Sequence, residues 1–326
     1  MGSRLPSRGA PNSENFRLEE VALPELADGQ ILVGNTFSRV GPYMRGRMND
    51  TKSYIEPFQL DQPLTGTAVG TVTESRSEKF KAGDTVRHFA GWRTHAVLNE
   101  DRAERIDTSI APAEAYLGIL GLTSLTAYVG LTAVGEMKKG DVVFISGAAG
   151  AVGSAAGQIA KRLGAAKVIG SAGSAEKIDY ITGIGFDGAF NYKDGDVKGQ
   201  LAKAAPEGID VYFDNVGGDH LEAAIGQANT FGRIAMCGAI AQYNDTEPVP
   251  GLRNLGLAIG KCLTLRGFVV GQYSHLAEEF QETIAPLVVD GSIGYETTVR
   301  EGIDTMPKAF LELFEGSNTG RMIVKF

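Results

Sequence analysis

Hydrophobic and polar positions change rhythm once along this chain. Up to residue 118 the apolar residues come in short β-branched runs, such as Gln30-Ile31-Leu32-Val33, Thr65 to Thr73 and Asp84-Thr85-Val86-Arg87. Turn signals separate them, among them Asp28-Gly29 and Ala82-Gly83-Asp84. Short strands with glycine turns predict a small, irregular β-barrel. Beyond it, apolar strand-like runs alternate with segments of helical period. Strands are expected near 141–146, 166–171, 188–190, 209–214, 232–237 and 263–270, and helices near 152–163, 175–183, 196–204 and 219–228. Such alternation implies an α/β, doubly wound parallel sheet. A strand-like run at 294–299, a helix near 305–315 and a final strand at 322–326 follow.

Length and composition sharpen this picture. The 326 residues suit two domains. Glycine, at 43 residues, is about twice as frequent as the ~7% average, which points to tight turns or close backbone approach to a ligand. A net charge of −8, with no basic run, argues against nucleic acid and against an anionic membrane surface. The 21 uncharged residues 115–135 are long enough to span a bilayer, but glycines, threonines and a serine interrupt them, so a buried helix pair is expected. Met1-Gly2-Ser3-Arg4 opens no apolar run, so no secretory leader is read and a cytoplasmic location is expected.

Only two cysteines occur, Cys237 and Cys262, and four histidines, His88, His95, His220 and His275. A disulfide framework or a Cys-rich zinc site is excluded. A catalytic zinc needs three protein ligands; the cysteines lie on late strands and His88 and His95 in the barrel region, so no metal is expected. No Gly-x-Ser-x-Gly elbow opens a helix after a strand.

The strongest local signal is Val142-Val143-Phe144-Ile145-Ser146-Gly147-Ala148-Ala149-Gly150-Ala151-Val152-Gly153. An apolar strand enters a glycine turn and then a helix whose apolar face is Val152, Ala155, Ala156, Ile159, Ala160 and Leu163. Gly150 and Gly153 would let the backbone approach a pyrophosphate at the positive end of that helix, as in dinucleotide sites. An NAD site would place a carboxylate about 20 residues beyond the glycines. Ser171, Gly173 and Ser174 stand there instead, with Lys177 one helical turn on. Hydroxyls, bare backbone and an ammonium suit a 2′-phosphate, so the cofactor is read as NADPH. Without a metal, a developing oxyanion needs a hydroxyl, and Tyr43, Tyr54 and Tyr243 are candidates. Tyr243 follows a strand's carboxyl end, where open α/β sheets bind ligands.

Taken together these residues resemble the zinc-independent medium-chain dehydrogenase/reductases, in the branch of prostaglandin, curcumin and alkenal double-bond reductases. The likeness rests on Gly9-Ala10-Pro11 with Asn15-Phe16, Pro42-Tyr43-Met44-Arg45, Gly121-Leu122-Thr123 with Thr126-Ala127-Tyr128, Ala148 to Gly153, Phe213 to Gly218 and Gly320-Arg321-Met322. The resemblance implies a Rossmann domain, residues 119–289, inserted into a β-rich GroES-like catalytic domain made of residues 1–118 and 290–326. It assigns Gly150, Ala151, Val152 and Gly153 to the pyrophosphate, and Lys177 and Tyr192 to the 2′-phosphate. Asn215 would lie near the nicotinamide, and Cys237, Gly238, Ala239, Ile240, Tyr243, Phe268, Val269, Val270 and Asn318 would complete the cofactor shell. The implied reaction is reduction of an enone or alkenal C=C bond by NADPH. Tyr243, with a ribose hydroxyl, would steady the enolate; Tyr43 and Tyr54 would face the substrate. A homodimer is implied, with the strand at 263–270 on its edge. Quinone reduction, or noncatalytic NADPH binding, are the alternatives. Gly41, where the family usually has Asp, and Ser38-Arg39, where Leu-Ser is common, depart from the pattern.

Overall fold

The computed structural model describes residues 9–326. Met1 to Arg4, read above as lacking a leader, lies outside the described residues. The chain divides into two compact units, Met1–Gly118 with Thr297–Phe326, and Ile119–Glu296. The sequence reading sets its boundaries after residues 118 and 289. The second falls after Glu296 rather than after residue 289, because the helix Ala277–Val289 and the turn behind it stay with the second unit: Gln158 there donates to Gly294 O at 2.9 Å and accepts its N–H at 2.8 Å.

The strands in chain order are β1 (Gln30–Arg39), β2 (Ala68–Ser75), β3 (Thr85–His88), β4 (His95–Asn99), β5 (Ala103–Arg105), β6 (Val142–Ile145) and β7 (Lys167–Ala172). They continue with β8 (Gly188–Asn191), β9 (Ile209–Asp214), β10 (Ala228–Met236), β11 (Thr264–Gly267), β12 (Thr297–Glu301) and β13 (Arg321–Lys325). In the first unit a seven-stranded mixed sheet runs β12-β13-β1-β2-β3-β5, with β4 also paired to β1. Register shifts at Leu32/Val33 and Asn35/Phe37 bend β1. Its first half then pairs with β4, through Gln30 to Gly34, and its last residues pair with β13. Ile31, Val33, Val72, Val86 and Leu98 fill one core of this sheet. Val40, Met44, Phe58, Met306, Phe310 and Val324 fill another, beneath the helix Met306–Glu315.

The second unit holds a six-stranded parallel sheet, order β11-β10-β9-β6-β7-β8. Phe144, Ile169, Tyr212 and Ile234, from its four central strands, are buried, and Phe144 stacks on Tyr212 at 4.9 Å and on Phe190 at 5.8 Å. Each such side chain contributes about 1.5–3 kcal/mol by leaving water. From β6 the chain winds outward to β7 and β8, then returns to β9 and winds the other way. The strand order therefore reverses between β6 and β9, where open sheets carry a crevice at their carboxyl ends. The expected strands near 263–270 and 294–299 shrink and shift to 264–267 and 297–301. The uncharged stretch is not a helix pair. It begins on the 3-10 helix Ala113–Leu117 and then holds one α-helix, Leu122–Val129, that continues as a π-helical turn over Gly130–Val134. Among the described residues no helix is long and apolar enough to cross a membrane.

Candidate active site

At the crevice, β6 ends at Ile145 and the chain turns into the helix Ala151–Arg162. Gly147 takes φ +59° in this turn. Gly150 stands at the N-cap and has no side chain to offer, so the first N–H groups of the helix face whatever occupies the crevice. The two later glycines do different work. A Cβ on Gly153 would sit 2.4 Å from Gly147 O and 2.8 Å from Ala148 Cα, so this bare position lets the helix close on its own turn. A Cβ on Gly150 would come no nearer than 3.3 Å to Gly147 O.

The end of β7 gathers the second group. Ser174 caps the helix Ala175–Gly183, accepting the Lys177 N–H at 3.4 Å. A Cβ on Gly173 would lie 2.8 Å from the Tyr192 hydroxyl, so the bare glycine is what admits the phenol. Tyr192 is 38% exposed and its ring meets His220 edge-on at 5.3 Å. Lys193 Nζ lies 6.0 Å from the same ring. Burial lowers the Lys177 pKa, and the nearby Lys193 lowers it further, so two ammonium groups share this corner. Ser171 differs from its neighbours: it is fully buried, its carbonyl accepts the Ala148 N–H at 2.9 Å, and its hydroxyl has no partner among the described residues. Lys193 and His220 were not singled out by sequence. The string Asn191-Tyr192-Lys193 held the signal for the first; His220 is reached only through the fold.

A third group lies across β9 and β10. Asn215 Nδ2 donates to Ser146 O at 2.8 Å. The N–H groups of Cys237 and Gly238 donate to Asp214 O at 2.8 and 3.0 Å. Further along, Ile240 N–H donates to Asn215 O at 3.3 Å and Ala241 N–H to Val216 O at 3.2 Å, so the loop 237–243 is laced to the turn after β9. Tyr243 folds back so that its hydroxyl oxygen accepts the Ala239 N–H at 3.3 Å. Burial raises the Tyr243 pKa, which keeps the phenol protonated. Burial, with the Asp214 carboxyl beside it, pushes the Cys237 thiol up to about 12, so it is no nucleophile at neutral pH. Phe268 sets its ring edge-on to Phe213 at 6.4 Å and to Tyr273 at 6.3 Å, with Val269 and Val270 half-buried beyond it.

The remaining expected residues belong to the first unit. Tyr43 is half-buried and opens the short helix Tyr43–Arg47, with the Arg39 guanidinium 5.9 Å from its ring centre. A Cβ on Gly41 would lie 3.1 Å from the Tyr43 ring, so the departure at Gly41 gives that ring room. Tyr54 is 65% exposed on a loop. Asn318 donates to Gly320 O at 2.9 Å in the turn before β13. No group of three or more His, Cys, Asp or Glu side chains among the described residues is arranged to hold a metal ion.

Two family models cover most of the chain, "N-terminal domain of oxidoreductase" over residues 4–106 and "Zinc-binding dehydrogenase" over residues 151–289. Prostaglandin reductase 1 of Bos taurus is 41% identical, covering 97% of this chain and 95% of its own length. The 2-alkenal reductase (NADP(+)-dependent) of Nicotiana tabacum is 39% identical over 97% of this chain and 94% of its own. The crystal structure of CurA in complex with NADPH from Vibrio vulnificus superposes with a TM-score of 0.93 at 36% identity, covering 99% and 97% of the two chains. The chain is a medium-chain dehydrogenase/reductase. Within that superfamily it falls in the alkenal, curcumin and prostaglandin reductase branch. Its parallel sheet is of the Rossmann type, and its mixed sheet is separate from it.

Proposed function

We propose that this reductase transfers hydride from NADPH to the C=C bond of α,β-unsaturated ketones and aldehydes and needs no metal ion. The observation that carries the reading is Tyr243. Its oxygen already accepts the Ala239 N–H, so the phenol's own proton is the one offered to a substrate oxygen. The crevice residues fit the cofactor. Gly173 admits Tyr192 beside Ser174, Lys177 and Lys193, and no carboxylate stands among Ser171, Ala172, Gly173 and Ser174 to repel a 2′-phosphate. When bound, NADPH supplies the hydride for the β-carbon. The chain's part is to steady the charge that gathers on the carbonyl oxygen. Tyr243 does so more strongly as the enolate forms than in the ground state, which is what speeds the step. Its raised pKa preserves the donating proton at neutral pH.

A panel of enones, alkenals, quinones and curcuminoids, with NADPH consumption followed by absorbance, tests the reading. Turnover of enones or alkenals is expected, surviving prolonged chelation. Quinones reduced in preference to every enone would replace the proposal, and activity lost on chelation and restored by zinc would remove its metal-free part.

The cofactor assignment predicts that Lys177→Ala weakens NADPH about tenfold or more, the cost of one charge-assisted contact, while NADH binding changes little. Equal losses for the two, measured by titration, would contradict it. We further propose a homodimer. β11 ends the parallel sheet with one strand neighbour among the described residues, and Leu257 and Ile259 on the preceding helix are exposed. Light scattering at micromolar concentration is expected to give twice the chain mass.

A further inference from the structure

The carboxyl of Asp214 has no assigned part in the site above, yet it is where three cofactor-facing segments are tied together. The residue is fully buried at the end of β9. One oxygen, Oδ1, accepts the N–H of Val216 at 3.0 Å and of Gly217 at 2.8 Å, fixing the turn that carries Asn215. The same oxygen accepts the Tyr212 hydroxyl at 2.7 Å and the Ser146 hydroxyl at 3.3 Å. Ser146 is the first residue of the glycine turn, and its Oγ accepts the Asn215 N–H at 3.0 Å. The main-chain oxygen of Asp214 holds Cys237 and Gly238, where the Tyr243 loop begins. Its other carboxyl oxygen, Oδ2, is buried without a partner among the described residues.

A buried carboxylate is costly unless its hydrogen bonds repay the lost hydration. Here the donors converge on a single oxygen, and two are backbone N–H groups that would be stranded without it. We propose that Asp214 is the positioning residue of the nicotinamide half of the crevice: through Oδ1 it sets the Asn215 turn against Ser146, and through that turn it sets the loop bearing Tyr243. The 2′-phosphate corner at Ser174, Lys177 and Tyr192 hangs on β7 and β8 and makes none of these bonds; it meets the helix after the Asp214 turn through the Tyr192–His220 ring contact. Asp214 should therefore govern one half of a dinucleotide and not the other. The proposal rests on the NADPH reading.

Calorimetric titration of the full-length protein with NADPH and with 2′,5′-ADP, which carries only the phosphate end, separates the two halves. For Asp214→Ala, NADPH affinity is expected to fall about tenfold or more while 2′,5′-ADP stays within about twofold. Asp214→Asn keeps an acceptor at Oδ1 and is expected to lose less NADPH affinity, with 2′,5′-ADP again unchanged. Should Asp214→Ala not fold, the asparagine variant decides by the same split. Parallel loss of both ligands would make Asp214 a general stability residue and overturn the proposal; so would NADPH binding unchanged in either variant. Wild-type protein that binds neither ligand would instead overturn the NADPH reading, and this proposal with it.

Discussion

Tyr243→Phe should lower kcat about 100-fold and leave NADPH affinity nearly unchanged. The substitution keeps the ring and removes only the oxygen that accepts the Ala239 N–H and offers its proton outward. Removing one oxyanion donor typically costs about 10²–10³ in rate. The lower end is expected because a ribose hydroxyl of the bound cofactor would still face the substrate oxygen. On the proposed mechanism the contact is made chiefly in the transition state, so kcat and kcat/KM should fall together in steady-state measurements. A raised KM at constant kcat would make Tyr243 a binding residue and shift the donor role to Tyr43. A Cβ on Gly238 would approach the Tyr243 hydroxyl to 3.3 Å, so the bare glycine gives that hydroxyl room.

Gly150 and Gly153 should differ in their effect on stability when each gains one methyl group. Gly153→Ala puts a Cβ against Gly147 O and Ala148 Cα, both backbone atoms that cannot swing aside. Overpacking of this kind costs about 1–3 kcal/mol. For a unit of this size, at roughly 2–4 °C per kcal/mol, that corresponds to a fall in Tm of roughly 2–12 °C, and the displaced turn should weaken NADPH as well. Gly150 has extended backbone, φ −79° and ψ 170°, which any residue adopts, and its added Cβ meets only Gly147 O at 3.3 Å. Gly150→Ala should therefore unfold with the wild type in a thermal melt while still losing cofactor affinity. If both variants melt alike, the division of labour between packing and ligand approach is wrong.

The contrast shows what one-dimensional reading reaches. Spacing located the helix at 175–183 and the strand at 209–214 closely, because each carries its own period and turn residues. It missed β4, β5 and the helix Ala277–Val289. Pro286 interrupts that helix's propensity, yet Phe280, Ile284 and Val288 keep a buried stripe at helical spacing, and tertiary packing decides. In the site, the glycine turn and the absent carboxylate after β7 were legible because each is a local string. The Asp214 network was not. Ser146 and Asp214 are 68 residues apart, and nothing in either neighbourhood announces that one oxygen serves both. The reading of Gly153 as room for a ligand illustrates a further limit: a bare position signals close approach without saying to what.

β1 pairs with β13 through Phe37 and Lys325, Ser38 and Val324, and Arg39 and Ile323, which joins nearly the first and last strands of the chain. During synthesis, at about 5–20 residues per second, the second unit is contiguous and can acquire all six of its strands before the terminus exists. The first unit cannot complete its sheet until β13 has left the ribosome. Until then β1 waits with an open edge, and the nascent protein carries a finished parallel sheet and an unfinished mixed one. Premature termination before β13 should for this reason yield aggregation-prone chains rather than slightly weakened enzymes.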